Sequence, residues 1–177
     1  IIDFKIANVL KPEENIYLPS KSRLNKKRSD IFGNIDYNLS NELKLGYKFS
    51  YDENLKYSNL EELDLNIVSN NLITNFIYYT EDFDIDNKET FRANSSLKLD
   101  KENKINFDLT RDLKNDYTQN YNVNYEYLTD CLSLSLGFNR SFYSDGNLEP
   151  SSNLTFLIKI IPFTEIGVSN LESVVGG

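Results

Sequence analysis

Histidine is absent from this chain of 177 residues, and cysteine occurs once, at Cys131. Together these two facts remove most side-chain chemistry. Ser-His-Asp and Cys-His nucleophilic catalysis need an imidazole to take and return a proton. A tetrahedral zinc centre draws its four ligands mainly from His and Cys, and one thiol cannot close it. The seven glycines fall in neither a GxGxxG nor a GxxxxGK[ST] arrangement, so no phosphate cradle is spelled out. The expectation is a protein that makes and breaks no bonds and needs no cofactor or metal.

What remains is charge and a lone thiol. Lys21, Arg23, Lys26, Lys27 and Arg28 crowd one segment. They either hold anionic sugar phosphates through charge-assisted hydrogen bonds or form a solvated loop. Glu81, Asp82, Asp84, Asp86 and Glu89 crowd another. Alternate carboxylates can hold calcium, but no EF-hand spacing exists, and a solvated acidic loop is the preferred reading. Cys131 is either an inert, half-buried side chain or, in an oxidising compartment, a partner for a cysteine elsewhere in a longer protein. The formal charge of -8 and the pI of about 4.6 argue against nucleic acid as a partner.

The elements that carry these residues read as β-strands. Ten stretches alternate apolar and polar residues, which sends successive side chains to opposite faces of a strand. They are Asp3–Val9, Asp30–Ser40, Leu43–Tyr51, Leu60–Val68, Leu72–Thr80, Thr90–Leu99, Lys104–Arg111, Thr118–Tyr127, Cys131–Phe142 and Asn153–Ile161. The fifth is the least clean, because Ile77-Tyr78-Tyr79 puts apolar groups on both faces. Helical spacing is sustained nowhere. No run of about 18 apolar residues exists to make a membrane-spanning helix. The expected fold is all-β, an antiparallel up-and-down meander of about ten strands.

The connections alternate as well. Short turns follow the second, fourth, sixth and eighth stretches. Longer polar segments, Lys11–Ser29, Asp52–Asn59, Glu81–Glu89, Asp112–Tyr117 and Tyr143–Ser152, follow the odd ones. Outer-membrane barrels pair short periplasmic turns with longer external loops, and face lipid on one side and water on the other. On that reading the short turns, with Cys131 beside one of them, are periplasmic. Asn106, Asp108, Asn120, Asn122, Asn124 and Glu126 line a wet lumen. A soluble sandwich or barrel, with the greasy face turned inward, fits the same alternation. Mean hydropathy is -0.49, hydrophobic residues make up 40%, and Tyr and Phe supply much of that share. Aromatic enrichment suits strands and interfacial belts, although Trp is absent. The chain opens on strand-like Ile1-Ile2-Asp3-Phe4 without an initiator Met, as a fragment or processed form would.

Two stretches carry a family resemblance. Leu18-Pro19-Ser20-Lys21-Ser22-Arg23-Leu24, followed by Arg28-Ser29-Asp30-Ile31-Phe32-Gly33, is the first. Tyr125-Glu126-Tyr127-Leu128-Thr129-Asp130-Cys131-Leu132, followed by Arg140-Ser141-Phe142-Tyr143-Ser144-Asp145, is the second. They resemble the C-terminal barrel region of the lipopolysaccharide-assembly family LptD, and Leu154–Ile161 followed by Gly167 is similar to that family's end. The resemblance implies a segment of a very large transmembrane β-barrel in the cell outer membrane of a Gram-negative bacterium. It implies insertion of lipopolysaccharide into the outer leaflet through a polar lumen and a lateral strand seam. An LptE-like lipoprotein plug, a periplasmic lipopolysaccharide-transport bridge and outer-membrane lipid are the implied partners. By the same analogy the strand holding Asn153, Leu154, Phe156, Ile158, Ile160 and Pro162 walls a lateral gate. Cys131 matches a family cysteine that can bond to a preceding periplasmic domain, although Leu132 stands where many members have a second Cys. Another outer-membrane barrel, such as a porin or receptor, or a soluble β-sandwich binding or adhesion module, are the alternatives. Ten strands cannot close so wide a barrel, so a curved sheet with two open edges is expected.

Overall fold

All ten alternating stretches form strands. The structure, a computed structural model, describes residues 1–19, 24–83, 86–142 and 149–160. Its elements are β1 (Ile2–Ala7), β2 (Ile31–Asn38), β3 (Leu43–Tyr51), β4 (Ser58–Val68), β5 (Leu72–Phe83), β6 (Asp86–Lys98), β7 (Asn103–Asp112), β8 (Tyr117–Leu128), β9 (Leu132–Ser141) and β10 (Ser151–Ile160). They lie in one sheet in chain order, each antiparallel to the next. Among the described residues β1 and β10 each have one neighbour, so the sheet is open at both edges, as expected.

Short polar side chains close the turns. Ser40 Oγ accepts the N–H groups of Glu42 and Leu43, each at 3.1 Å. Asp100 Oδ1 accepts those of Glu102 and Asn103, each at 2.8 Å, and Thr129 Oγ1 accepts that of Leu132 at 3.1 Å. A side-chain oxygen two or three residues ahead of the amide imitates a backbone turn, which is why Ser, Thr and Asp punctuate these strands. At the opposite end Asp52 Oδ1 accepts from Lys56 and Tyr57 at 2.5 and 2.9 Å, around Leu55 at a left-handed φ of 58°. The Tyr57 amide holds the Asp52 carboxyl below the usual range, and the Asn103 side chain does the same for Asp100. Their grip on these turns is therefore full above about pH 4 and is lost as pH falls through the lowered values.

Two connections depart from the expected loops. The acidic segment Glu81–Glu89 is mostly strand: β5 and β6 pair through it, with Glu81 opposite Lys88 and Phe83 opposite Asp86. Acidic residues disfavour strands only weakly, and continued ladder hydrogen bonding outweighs that. The expected loop Asp112–Tyr117 shrinks to a turn at residues 113–116, because Asp112 closes it by accepting from Asn115 N–H at 2.8 Å. The short–long alternation thus rests on residues 8–30, 52–57 and 142–150. The first of these is a two-legged arm, with Lys11 N–H donating to Lys27 C=O at 2.7 Å and Asn15 N–H to Asn25 C=O at 2.8 Å. Lys26, Lys27 and Arg28 are exposed on it. Lys21 and Arg23 lie outside the described residues.

No second layer covers the sheet among the described residues. The only buried hydrophobic residue there is Ala93, at 7% exposure, and no large side chain is fully buried. A dry core of the kind a soluble sandwich needs is therefore absent from these residues.

One backbone approach is tight enough to test. A Cβ built on Gly33 would collide with the Lys5 carbonyl oxygen and lie 2.8 Å from Phe49 Cζ. The neighbouring backbone cannot yield cheaply, so Gly33→Ala is expected to cost about 1–3 kcal/mol, as overpacking does. Hydrogen exchange should show faster labelling of Ile2–Ala7 with β3 to β10 unchanged. Unaltered protection of β1 would refute the close approach.

Candidate functional site: a polar trough backed by an apolar wall

Residues opposite one another in an antiparallel pair share a face, so register decides which side chains meet. On one face the pairings join Lys44, Asn66, Asn75, Asn94, Asp108, Asn122, Asn139 and Asn153 into one row that crosses β3 to β10. The neighbouring row runs through Ser96, Asn106, Asn124, Gly137 and Thr155. All six residues expected to line a lumen, Asn106, Asp108, Asn120, Asn122, Asn124 and Glu126, are on this face. This face is the hollow one. A trough of about 610 Å³, lined by Asn75, Asn94, Asn106, Asp108, Asn122, Asn124, Asn139 and Thr155 among others, spans β5 to β10.

The polar groups in the trough satisfy one another in part. Glu126 Oε1 accepts from Asn106 Nδ2 at 2.9 Å and from Asn124 Nδ2 at 2.8 Å. Asn124 Oδ1 in turn accepts from Ser135 at 2.7 Å. Asn122 donates to Asp108 at 3.1 Å and Asn75 to Asp64 at 2.9 Å. Lys104 Nζ lies 3.6 Å from Glu126 Oε2. Carboxamides both donate and accept, so such a surface suits hydroxyl-rich ligands and water, and holds little net charge. The mixed face of the fifth stretch is resolved as well: Ile77 and Tyr79 share the polar side with Asp64 and Glu62, while Tyr78 joins the apolar side.

The opposite face is largely apolar, interrupted at mid-sheet by the hydrogen-bonded Thr74–Ser95 pair, 2.9 Å apart. Phe4, Tyr37, Leu63, Leu97, Phe107, Val123, Leu136, Phe138, Leu154, Phe156, Ile158 and Ile160 all lie on it, and all are substantially exposed. The band they form does not run straight along the hydrogen-bonded rows. From Leu43–Tyr51 on β3 to Leu154–Ile160 on β10 it slides by six to eight residues toward the short turns. At about 3.4 Å per residue and 4.8 Å per strand, the band lies roughly 30–40° off the perpendicular to the strands.

The other singled-out residues sit apart from the trough. Asn153 faces it, whereas Leu154, Phe156, Ile158 and Ile160 belong to the apolar wall at the free edge of β10. Pro162 lies outside the described residues. Cys131 is exposed and unbridged in the turn just before β9, its Sγ 3.9 Å from Thr129 Oγ1. The acidic residues divide between the faces: Glu81 pairs across with Lys88 on the polar side, while Glu89 accepts from Tyr78 on the apolar side at 2.9 Å. Asp84 lies outside the described residues, and among those residues no cluster of three or more carboxylate or thiol side chains is gathered that could hold a metal ion.

Two features escaped sequence reasoning. The Asn row was missed because Asn66, Asn75, Asn94 and Asn139 align only once turn lengths fix the register. The second is a buried polar latch: Ser29 and Asp30, 2% and 5% exposed, tie the long arm to the sheet. Asp30 Oδ2 accepts from Asn59 at 2.7 Å and from Ser50 at 3.2 Å, while Asn8 donates to the Ser29 carbonyl at 2.7 Å. Ser29 and Asp30 belong to the Arg28-Ser29-Asp30-Ile31-Phe32-Gly33 segment that carries the family resemblance, and nothing in its composition marks them as buried.

No family model matches the chain, and no curated protein matches it.

The shared acceptor gives a test. Glu126→Leu leaves the Asn106 and Asn124 carboxamides without their oxygen and is expected to lower stability by about 1–3 kcal/mol. Glu126→Gln keeps one acceptor and should cost less than half of that. Denaturant titration of both variants checks it, and equal losses would show that Glu126 acts only through its bulk.

Proposed function

We propose that this chain is a segment of the wall of a large outer-membrane β-barrel that passes lipopolysaccharide to the outer leaflet, as LptD-like proteins do. The observation that carries the reading is the oblique apolar band. Strands of a membrane barrel tilt by about 35–45° from its axis, so a belt level with the bilayer must cross them at a slant. The slant of roughly 30–40° here is what such a tilt produces. From β3 to β10 the strands run from 9 to 13 residues, near the 9–11 that a tilted membrane strand needs. At about 3.4 Å per residue the band is roughly 20–27 Å long on β10 and β3 and roughly 14 Å on β4 and β7, so after tilt it falls short of the 25 Å belt of known barrels.

The hollow polar face supports the transport part of the reading. A saccharide carrying many hydroxyls crosses a carboxamide-lined surface without shedding charge or meeting a strong binding site. The acyl part of the same molecule leaves through a seam between strands. The free edge of β10, apolar on its outer side and polar at Asn153, is suited to one lip of that seam. The resemblance of the Ser29-Asp30 and Tyr125–Cys131 segments to the LptD family selects this cargo over that of a porin or receptor. An LptE-like lipoprotein in the lumen and a periplasmic bridge delivering lipid complete the proposal. The proposal includes a disulfide from Cys131 to a periplasmic domain, and the exposure of Cys131 at the short-turn end supports it.

Photo-crosslinking tests the cargo. A benzophenone amino acid at Asn122 or Asn139, in the protein within its own membrane, should capture lipopolysaccharide, whereas one at Val123 should capture phospholipid. Capture of lipopolysaccharide at neither trough position would reject the transport reading.

A further inference from the structure

The apolar wall ends in charge on the loop side, and the sign of that charge changes across the sheet. On β4 and β6 the terminal residues of the wall are Glu61 and Glu89; on β7 and β9 they are Arg111 and Arg140. The carboxylates are satisfied in place. Glu61 Oε1 accepts from Tyr47 at 3.0 Å and from Tyr51 at 2.8 Å, and Glu89 accepts from Tyr78. Arg111 donates to Asp116, an exposed turn residue, at 2.5 Å. Arg140 differs from all three. Its guanidinium lies 4.9 Å over the Phe142 ring, beside Tyr121, whose own ring is 6.0 Å from Phe138 and 6.1 Å from Phe142. It is half-buried, its Nε is sealed without an acceptor, and it has no carboxylate partner among the described residues. Opposite it stand Tyr121 on β8 and Ser152 on β10, which offer no counter-charge.

A guanidinium bedded on aromatic rings at the rim of a hydrocarbon-facing wall lacks an anion, and the lipid surface beside it supplies one. We propose that Arg140, with Arg111 two strands away on the far side of β8, docks the phosphate of an anionic lipid whose acyl chains lie along Phe138 and Leu136. This inference rests on the membrane reading above. The planar fork of arginine matches two phosphate oxygens at once, and the ring beneath it holds the cation without neutralising it. The acidic half of the rim, already saturated by tyrosines, leaves the β7–β9 half as the place where an anionic headgroup is favoured. A basic residue at a lipid surface strengthens binding of anionic lipid by about fivefold.

Lipid titration of the detergent-solubilised protein, followed by native mass spectrometry, tests the site. Wild-type protein should retain phosphatidylglycerol over phosphatidylcholine. Arg140→Gln should reduce phosphatidylglycerol retention about fivefold and leave phosphatidylcholine unchanged, while Arg140→Lys keeps part of the preference. Circular dichroism of each variant confirms that the strands persist, and Arg111→Gln provides a second, smaller loss. Equal retention of the two lipids by wild type, or an unchanged preference in Arg140→Gln, overturns the site and leaves the membrane reading standing. Failure of the wild-type protein to retain either lipid overturns both.

Discussion

The structure depends on strand register. Side chains along a strand have a period of two, so a slip of one residue in any pairing would carry its leucines and phenylalanines into the trough and its asparagines into the wall. Nine successive pairings hold the same parity, and irregularities at Ser50/Tyr51 and Thr110/Arg111 sit near the loop side. The parity is kept by turns of fixed length, closed by Ser40, Asp100 and Thr129, and by cross-strand partners such as Asn122 with Asp108. Once the parity is set, the segregation of apolar wall from polar trough follows without any core.

That segregation has an energetic consequence. Burial of a large apolar side chain contributes roughly 1.5–3 kcal/mol, and the wall presents a dozen or more of them unburied. Soluble monomers rarely leave an apolar patch of such extent in water. A hydrocarbon environment removes the cost, and it also demands that every backbone N–H be paired, which a continuous antiparallel ladder provides everywhere except at its edges. Among the described residues, the edges at β1 and β10 are thus the places where backbone groups lack a ladder partner.

Much of this was legible in the residues. Alternation located every strand, because Tyr121-Asn122-Val123-Asn124-Tyr125 and its counterparts satisfy no other period. The assignment of Asn106, Asp108, Asn120, Asn122, Asn124 and Glu126 to one face followed from the same parity. What could not be read was anything that depends on pairing between strands. The Asn row, the slant of the apolar band and the Asp30–Asn59 latch all join residues separated in sequence, and only the register brings them together. The acidic run at Glu81–Glu89 was misread as a loop because its composition is that of a solvated segment. The ladder between β5 and β6 continued past the point where composition alone would end it.

Under the proposed function one side of the pleat touches hydrocarbon and the other touches water. The chain contains no tryptophan, so a single indole introduced at a chosen site reports on that site alone. Fluorescence of Val123→Trp and Asn124→Trp proteins, adjacent on β8, should be compared in bilayers of brominated lipid. Bromine should quench the indole strongly at position 123 and little at 124, with the reverse order for aqueous acrylamide. Equal quenching at both positions would mean that the two faces do not meet different media, protection of position 123 from bromine and acrylamide alike would mean a dry interior behind the apolar wall, and either result would overturn the membrane reading.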